Sequence, residues 1–558
     1  MTDAAALFED HRATLDAAVD ATRTRAYYSA FNESPSPRVY GEDAAAEGLA
    51  AFESWRGRAF SVDVPGAEGT IATEKSPFGF DLDVSYPRME VDGLDVLLPA
   101  ATAGLAAFRD AGPQARAGVC LEILHRLHGR IFELANAVQH TSGQAFVMAF
   151  QAGGAHALDR ALEAVAYAYA EMTRTPATVV WEKPGRGEPL RMEKTFTAVP
   201  RGVSLVIGCN TFPTWNSYPG LFASLACGNP VVVKPHPRAV LPLAITVQVA
   251  QEVLAEAGFD PHLVTLAAED PADGLAAVLA LRPEVRLIDF TGSNAFGEWL
   301  ETNARQAVVF TEKAGVNTVV VDSTDSFAAM CRNLAFSLAL YTGQMCTAPQ
   351  NLYLPADGID TDEGRKSVAE VADGIGAALG TLLGDDARAV ELLGGVVNDG
   401  VLERLEAAGS RGKVYVESRA VRHPAFEGAV VRTPTLVGLT AADAEVYESE
   451  CFGPVAYLIE TAGTAESVSL FRSTVMEHGA MTASVYSTSP DVLAAMRSAA
   501  LDAGVALSEN LTGGVFVNQS AAFSDFHGTG ANPAANSSYT DTAYVAPRFR
   551  MVQARRHL

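Results

Sequence analysis

Four short apolar runs, separated by longer helical stretches, dominate the chain between residues 203 and 290. The runs are VSLVIGC (203–209), PVVVK (230–234), HLVTLAA (262–268) and VRLIDF (285–290). Between them, Ala and Leu recur at helical spacing. Parallel strands cannot be joined by tight turns and need such helical crossovers, which then cover both faces of the sheet. The alternation therefore predicts a doubly wound parallel α/β sheet with a ligand crevice at the carboxyl ends of its strands.

The segments before this region follow other patterns. Residues 1–30 and about 100–175 carry apolar residues at helical spacing and are predicted to be helical. Residues 177–200 contain two alternating segments, ATVVWEK and RMEKTFTAVP, on either side of the glycine-rich GRGEP. This pattern predicts a β-hairpin or a pair of strands.

Composition places the chain among ordered globular proteins and limits its partners. Its 558 residues are enough for at least two domains, and hydrophobic residues (48%) far exceed charged ones (19%), unlike in disordered chains. Asp and Glu (66) outnumber Lys and Arg (41), which gives a formal net charge of −25. Because such a charge repels nucleic acid and anionic membranes, we expect neither as a partner.

The cysteines and the N-terminal residues indicate a compartment. The six cysteines form no C-x-x-C pair and no spacing typical of a zinc site or a disulfide framework. The neighbouring His125, His128 and His140 fit no metal motif, so no metal is expected. The N-terminal residues lack the pattern of a signal peptide, and no uncharged apolar run reaches about 18 residues. We therefore predict a reduced, cytoplasmic protein.

Two motifs lie where the predicted sheet would bind a ligand. FTGSNAFGEWL (290–300) follows the strand VRLIDF, and its Gly292 and Gly297 form a G-x-x-x-x-G at a strand-to-helix junction. Backbone N–H groups and the helix dipole favour a phosphate there, although a plain structural turn is the alternative. Lys234 ends the buried strand of VVVKPHPRA and points into the crevice or, alternatively, snorkels to the surface.

Three further motifs carry reactive groups. Cys346 in YTGQMCTAPQN (341–351) is a candidate thiolate nucleophile or an inert core cysteine. Glu312 in VVFTEKAGVNTVVV (308–321) stands where the apolar pattern would place Val or Ile, so it is a general base or a solvated surface acid. Glu450 precedes Phe452 and a Gly-Pro turn in YESECFGPVAYL (447–458), so it is a further candidate functional acid or a solvated acid of a turn.

Together these motifs resemble the aldehyde dehydrogenase superfamily. FTGS, E-x-A-G-x-N, G-Q-x-C and E-x-F-G-P-V occur in that order, and Glu312 precedes Cys346 by 34 positions. The resemblance extends from about residue 100 to residue 545. Within the superfamily, NTFPTWNSYPGLFASLACGNPVVVKPHPRA (210–239) with GQMCTAPQN is most similar to the phenylacetic-acid-degradation proteins called PaaN.

The resemblance implies a fold with three parts. Residues 1–309 would form N-terminal helices and a Rossmann-type NAD(P)-binding domain, with residues 177–200 in an oligomerisation element. Residues 310–508 would form an α/β catalytic domain. Residues 509–558 would return to the cofactor domain and, with strands expected in 531–558, complete a small oligomerisation sheet. A homodimer or homotetramer is expected.

The resemblance also implies roles for the site residues. Cys346 would attack the aldehyde, a hydride would pass to NAD(P), and Glu312 would activate the water that hydrolyses the thioester. Gly292, Ser293 and Gly297 would lie near the coenzyme pyrophosphate. Lys234 and Glu450 would hold its two riboses, and Phe452 would pack near the nicotinamide.

Two departures from the family leave details open. The family's Asn-Phe-Pro is Asn210-Thr211-Phe212-Pro213 here, so Asn210 or Asn216 supplies the amide that holds the oxyanion, and Asn210 is favoured. Pro237 occupies the position three after Lys234, where NAD-preferring members often have Glu. Because no carboxylate would repel a 2′-phosphate and His236 or Arg238 can contact one, NADP is expected, with NAD as the alternative.

The expected reaction is oxidation of an aldehyde to a carboxylic acid in phenylacetate or aromatic acid catabolism. Its substrate would be, for example, a ring-opened semialdehyde or its CoA thioester. One alternative is a CoA-acylating enzyme, against which Glu312 argues because a thiol acceptor needs no such base. The other is a catalytically silent NAD(P)-binding relative, which commonly lacks the cysteine or the glutamate that this chain keeps.

Overall fold

The structure is a computed structural model that describes residues 4–313 and 315–558. Residues 1–3 and the alanine of the E-x-A-G-x-N motif, Ala314, lie outside the described residues. The described chain forms two large α/β units, each built on its own sheet, a three-stranded antiparallel sheet, and four further sheets of two or three short strands.

The first unit contains the predicted parallel sheet. Its five strands occur in the spatial order Val308–Glu312, Val285–Thr291, Val203–Ile207, Val231–Lys234 and Val264–Leu266, and all neighbouring strands are parallel. Four of these strands coincide with the four apolar runs, so the doubly wound α/β prediction is confirmed. The strand order reverses beside Val203–Ile207, the switch point at which such sheets open a ligand crevice.

The second unit contains a seven-stranded sheet with a hydrophobic core on each face. The spatial order of its strands is Lys413–Val416, Thr435–Thr440, Val455–Thr461, Asn351–Pro355, Thr318–Val321, Ala483–Tyr486 and Leu507–Glu509. Only the edge strand Lys413–Val416 is antiparallel to its neighbour within this sheet. The chain enters this unit after Glu312, since Val308–Glu312 belongs to the first sheet rather than beginning the second unit at residue 310.

The third sheet contains the predicted hairpin, Thr178–Lys183 paired with Leu190–Pro200, and the C-terminal strand Phe549–His557. The expected strand region 531–558 thus forms a strand only from residue 549. Before it, the turn-rich residues around Asn532 to Asn536 lie against Val308–Glu312, and the Lys313 N–H donates to the Ala534 carbonyl at 2.6 Å. Asn, Ser and Pro in this stretch favour turns over strand pairing.

The remaining elements surround these sheets. The α-helices are Ala4–Thr24, Pro37–Tyr40, Ala44–Trp55, Leu94–Ala103, Leu105–Asp110, Gly112–Gly129, Ile131–Ser142, Phe146–Phe150, Ala157–Thr173, Pro213–Ala226, Leu241–Glu256, Leu275–Ala280, Asn294–Asn303, Phe327–Ala339, Val368–Leu383, Asp386–Ala389, Asp399–Ala408, Ala444–Tyr447, Thr464–His478, Pro490–Ala503 and Thr542–Val545. Shorter strands are Thr70–Ile71, Lys75–Ser76, Phe80–Asp81, Tyr86–Pro87, Ser323–Thr324, Ile359–Thr361, Gly364–Lys366, Ala420–Val421 and Val431–Arg432, and Gln151–His156 is a π-helical turn. None of the helices in the described ranges has the length and apolar character to cross a membrane.

A buried ion pair joins the C-terminal segment to the first sheet. Arg548 is fully buried, and its Nη2 and Nη1 lie 2.6 and 2.7 Å from the two carboxylate oxygens of Asp289 in strand Val285–Thr291. The Tyr544 hydroxyl donates to the same carboxylate at 2.7 Å. Bidentate contacts of this kind fix orientation as well as position. They hold the end of the chain where residues 509–541 can pass beside both large units.

Candidate active site

The turn that carries Cys346 has an unusual backbone. It follows the short helical segment Leu340–Gly343, in which Tyr341 and Thr342 have φ angles of 53° and 57° and Gly343 has a φ of 65°. A Cβ on Gly343 would lie 2.3 Å from the carbonyl oxygen of Gly453, so only glycine fits this close approach. Strained backbone of this kind persists only when its surroundings hold it in place. The glycine thus lets the Cys346 turn pack directly on the E-x-F-G-P-V loop.

Asn317, the last residue of the E-x-A-G-x-N motif, holds the backbone of Cys346. Its Nδ2 donates to the carbonyl oxygens of Cys346 at 2.7 Å and Ala348 at 2.9 Å. Its Oδ1 accepts from the N–H groups of Met481 at 2.9 Å and Thr482 at 3.0 Å. A single side chain therefore satisfies four backbone groups and fixes Cys346 against a central strand of the second sheet.

Gln350, which follows Cys346 by four residues, positions the loop that carries Glu450 and Phe452. Its Oε1 accepts from the Cys451 N–H at 2.6 Å, and its Nε2 donates to the Ser449 carbonyl at 3.0 Å. These bonds place Glu450 and Phe452 beside the turn of the nucleophile, where both border a small cleft. Burial raises the pKa of Glu450 to about 7.

The side chains of His527, Glu312 and Asn216 form a chain of contacts that begins at the sulfur of Cys346. Cys346 Sγ lies 3.7 Å from His527 Nε2, and the same Nε2 lies 3.1 Å from Glu312 Oε1. The second oxygen of Glu312 accepts from Asn216 Nδ2 at 2.9 Å. Burial, followed by the nearby negative charge of Glu312, raises the pKa of the Cys346 thiol well above its usual range. A thiol in these surroundings needs a proton acceptor before it can attack a carbonyl.

Among the described residues, three of these side chains form a group whose composition also suits a metal ion. The donor atoms of Glu312, Cys346 and His527 lie within 4.8 Å of one another. A nucleophile must have its sulfur unligated, because a metal would occupy the lone pair that attacks the carbonyl carbon. The same three side chains also suit covalent and proton-transfer chemistry, in which the sulfur carries no metal.

At the carboxyl ends of the first sheet, Lys234 forms a buried ion pair with Glu269. A carboxylate thus stands beside this lysine, although position 237, where NAD-preferring members often have Glu, is Pro. Burial lowers the pKa of His236 to about 4, so this imidazole is uncharged at neutral pH. The Arg238 guanidinium donates to the Val397 carbonyl at 3.1 Å. His236 therefore presents no cation to a 2′-phosphate, whereas Arg238 is exposed and uses only one guanidinium nitrogen in this contact.

The glycine-rich turn forms the adjoining wall of the same crevice. Helix Asn294–Asn303 begins directly after Ser293, whose side chain makes no capping hydrogen bond. A Cβ on Gly292 would lie 2.6 Å from the ring of Phe290, so the turn requires a residue without a side chain at this point. The start of a helix with an ion-paired lysine nearby suits the phosphates and a ribose of a dinucleotide. The crevice thus fits NAD(P), and Lys234, Glu269, Ser293 and Gly297 are the residues that would hold it.

Comparison with known proteins decides the family. The model of the Aldehyde dehydrogenase family matches residues 70–533. The chain belongs to the aldehyde dehydrogenase family. It is accordingly an oxidoreductase that acts on aldehydes, as the resemblance of the motifs implied, and its aldehyde dehydrogenase fold is confirmed.

The relatives of this aldehyde dehydrogenase differ in sequence identity and in the share of the chain that they cover. The solved structure of an NAD-dependent aldehyde dehydrogenase from Burkholderia multivorans superposes with a TM-score of 0.97 at 57% identity, with 100% of each chain covered. Vanillin dehydrogenase of Pseudomonas fluorescens is 27% identical over 72% of this chain and 78% of its own length. The 3,4-dehydroadipyl-CoA semialdehyde dehydrogenase of Aromatoleum evansii is 26% identical over 51% of this chain and 56% of its own length.

The two asparagines considered for the oxyanion differ in their surroundings. Asn210 donates its Nδ2 to the Thr141 carbonyl at 2.9 Å, away from Glu312. Asn216, in helix Pro213–Ala226, contacts Glu312 and lines the cavity that contains Cys346. The sequence favoured Asn210, whereas the geometry favours Asn216.

The cavity beside Cys346 has a volume of about 590 Å³. Aromatic side chains form much of its wall: Tyr27, Tyr28, Phe212, Trp215, Phe336 and Phe516. Four carboxylates also line it, those of Glu33, Asp159, Glu391 and Asp525, and the described lining residues include no Lys or Arg. Such walls favour the uncharged part of a substrate over a carboxylate or a phosphate.

His527 is the residue of this site that the sequence did not indicate. It follows Cys346 by 181 positions, in a turn-rich segment without apolar periodicity. Its backbone N–H donates to the Tyr539 carbonyl at 2.8 Å, and its ring meets Trp215 edge-on at 4.5 Å between centroids. No local sequence pattern predicts a single histidine that only tertiary packing brings to Cys346.

Proposed function

We propose that this aldehyde dehydrogenase oxidises an aldehyde to a carboxylic acid through a thioester on Cys346, with NAD(P) as the coenzyme. The observation that carries the proposal is the contact of a cavity-lining cysteine with a buried acid–base group, since Cys346, His527 and Glu312 meet within hydrogen-bonding reach. These are the side chains that covalent catalysis followed by hydrolysis requires.

In the first step the Cys346 sulfur adds to the aldehyde carbon, and the carbonyl oxygen becomes an oxyanion. We propose that the Cys346 backbone N–H and the Asn216 amide hold this oxygen. Asn216 takes the place expected for Asn210 because it lines the cavity and lies beside Glu312. Donors of this type contribute about 3–4 kcal/mol to the transition state. The nicotinamide ring, when bound, accepts the hydride that leaves the same carbon.

In the second step Glu312 takes a proton from water, and the resulting hydroxide releases the acid from Cys346. Both carboxylate oxygens of Glu312 are engaged, one by His527 and one by Asn216. Each oxygen keeps a further lone pair with which it can accept from water. The presence of a buried base argues for water as the acceptor rather than CoA, because a thiol acceptor needs no such base. Retention of both Cys346 and Glu312 argues against a silent relative.

For the coenzyme we propose NAD in preference to NADP. The carboxylate of Glu269, held against Lys234, would accept bonds from a ribose hydroxyl and would repel a 2′-phosphate. The similarity to a structure described as an NAD-dependent aldehyde dehydrogenase supports the same choice. On the other side of the Cys346 turn, Glu450 would contact the second ribose and Phe452 would pack near the nicotinamide.

The substrate that we propose is an aldehyde from the breakdown of aromatic compounds, including phenylacetate. Vanillin dehydrogenase and 3,4-dehydroadipyl-CoA semialdehyde dehydrogenase are among the relatives. The resemblance of residues 210–239 to PaaN also favours an aldehyde from the breakdown of aromatic compounds. The aromatic walls of the cavity suit such carbon skeletons. Since carboxylates line the cavity, a CoA thioester would place only its aldehyde-bearing acyl chain inside and leave its phosphates outside.

We further propose a homodimer or homotetramer in the cytoplasm. The third sheet has two edge strands, Thr178–Lys183 and Phe549–His557, whose residues are mostly exposed. Exposed strand edges are suited to pairing with a second copy of the chain. The six cysteines are free, as expected in a reducing compartment.

A coenzyme-release assay tests this proposal. The intact protein would be offered NAD or NADP with aromatic aldehydes, ring-opened semialdehydes and CoA thioesters of such semialdehydes, and product would be identified with and without added CoA. We expect reduced NAD and a free acid, and no turnover by the Cys346→Ala variant. Formation of an acyl-CoA would show that the protein is a CoA-acylating enzyme rather than a hydrolytic one. Binding of NAD without turnover of any aldehyde would show that it is catalytically silent.

A further inference from the structure

We propose that His527 is the base that removes the proton from the Cys346 thiol, and that Glu312 stabilises the imidazolium that results. This inference rests on the proposed function, in which Cys346 is the nucleophile. It adds a third catalytic side chain, supplied by the segment that returns from the second unit.

The positions of the atoms carry the inference. His527 Nε2 lies 3.7 Å from Cys346 Sγ and 3.1 Å from Glu312 Oε1, so one nitrogen faces both the thiol and the carboxylate. All contacts of the group are made in buried surroundings, with His527 5% and Glu312 3% exposed. In the neutral tautomer that carries its hydrogen on Nδ1, Nε2 has a lone pair that can accept the thiol proton, and once protonated Nε2 can donate to the carboxylate beside it.

The surroundings of Cys346 create the need for such a base. Burial raises the pKa of its thiol, and the negative charge of Glu312 raises it further. At neutral pH the unassisted thiol would therefore be almost entirely protonated and unreactive. Loss of the thiol proton to solvent would leave a thiolate beside a carboxylate, whereas transfer of the proton to His527 places an imidazolium between these two anions, which is electrostatically more favourable.

The thiol proton moves to His527 in the same step in which the sulfur attacks the aldehyde. As the sulfur lone pair forms the S–C bond, the S–H bond breaks and the proton forms an N–H bond at Nε2 of His527. The π electrons of the aldehyde move onto its oxygen. The imidazolium then returns its proton to solvent through Glu312, which accounts for the proton released in the overall oxidation.

The structure holds the imidazole of His527 in one place. Its backbone pairs with Tyr539, and the buried Arg160 donates to the carbonyl oxygens of Asp525 at 3.0 Å and Tyr539 at 3.3 Å. The edge of the ring meets Trp215. Both chain segments beside the histidine are thus fixed to helix Ala157–Thr173 of the first unit. A histidine present only to fill space would not need its Nε2 directed at two reactive groups.

The titratable and charged groups that face His527 come from several elements. Glu312 and Cys346 contact His527, and the ring of Tyr539 stacks along the imidazole. Farther away, Cys209 interacts electrostatically with both Glu312 and Cys346, and Glu450 interacts with Cys346. Arg160 lies over the Trp215 ring. Of these, only Glu312 is an acid in direct contact with the imidazole. Glu312 is therefore the anion in contact with both the imidazole and the thiol.

Alkylation of Cys346 by iodoacetamide tests the proposal without aldehyde or coenzyme. Peptide mapping by mass spectrometry separates Cys346 from the other five cysteines. In the unmutated protein we expect alkylation that is already fast at pH 7 and changes little at higher pH. In His527→Gln we expect about 100-fold slower alkylation at pH 7, with the difference disappearing at high pH as solvent hydroxide ionises the thiol.

The matched control is His478→Gln. His478 is half-buried and lies 3.7 Å from Glu448, away from Cys346, so alkylation should remain unchanged. A rate that rises continuously past pH 9 in the unmutated protein would overturn the proposal even if His527→Gln failed to fold. Equal alkylation of His527→Gln and unmutated protein at pH 7 would also overturn it. Neither result would affect the proposed function, which fails instead if Cys346→Ala still oxidises aldehydes.

Discussion

The coenzyme crevice and the nucleophile centre of this enzyme are assembled in different ways. The crevice is formed by strands and turns from residues 203–312, which follow one another along the chain. The nucleophile centre gathers Asn216, Glu312, Cys346 and His527 from four separate segments, and the last two of these residues are 181 positions apart. Crevice geometry therefore follows from the regular β–α alternation, whereas the centre depends on packing between units.

The two regions also treat charge differently. In the crevice, Lys234 and Glu269 neutralise each other before any ligand binds. In the centre, the pKa of the Cys346 thiol is raised by burial and by Glu312, and His527 is the one basic side chain in contact with either group within the described ranges. The crevice is thus arranged for binding, and the centre for the movement of protons.

The largest expected effect is that of Cys346→Ala, which should remove the chemistry of the nucleophile centre and leave coenzyme binding in the crevice intact. Cys346→Ala should lower kcat by about 10⁴-fold or more, because it removes the covalent route, while NAD affinity stays within about twofold. Stopped-flow detection of reduced coenzyme and calorimetric titration with NAD would measure the two quantities. Loss of NAD affinity together with activity would show that the two regions are not independent.

A second, smaller effect distinguishes the two asparagines within the centre. Asn216→Ala should lower kcat by about 10²–10³-fold, the usual cost of one oxyanion donor. Asn210→Ala removes a bond to the Thr141 carbonyl and should change kcat far less. Steady-state rates of the two variants, with thermal unfolding to check folding, would decide between them. A larger loss for Asn210→Ala would restore the assignment that the sequence favoured.

The smallest expected effect lies in the crevice. Glu269→Gln keeps the shape of the side chain but removes its charge, so NAD affinity should fall about tenfold, as for the loss of one charge-assisted hydrogen bond. Affinity for NADP should fall less or improve, because repulsion of its 2′-phosphate is removed. Titration of both coenzymes would measure this change. An unchanged ratio of the two affinities would exclude Glu269 from coenzyme selection.

The contrast between the regions explains what could be predicted from the sequence. Apolar runs located four strands of the first sheet, and ordered motifs identified Cys346 and Glu312 as the candidate pair. Asn317 and Gln350 were present in those motifs, yet their backbone contacts became clear only in the structure. Glu269 carried a readable signal, because it lies just after the strand next to Lys234 in a doubly wound sheet.

Other features were beyond a sequence argument for physical reasons. The position of His527 depends on the path of residues 509–541, which is set by contacts such as those of Arg160 rather than by local periodicity. The same path explains why residues 531–548 form turns and short helices and why the C-terminal strand begins only at Phe549. The choice between Asn210 and Asn216 depended on where helix Pro213–Ala226 begins.

The central claim is that Cys346 carries the acyl group and Glu312 releases it, and a rapid-quench experiment on Glu312→Gln tests it most directly. The glutamine keeps an oxygen near His527 but cannot take a proton from water, so hydrolysis should slow by about 10²–10⁴-fold. We predict a burst of reduced coenzyme and, in the quenched protein, an acyl group mapped to Cys346 by mass spectrometry. An unchanged steady-state rate with no acyl group on Cys346 would contradict the account.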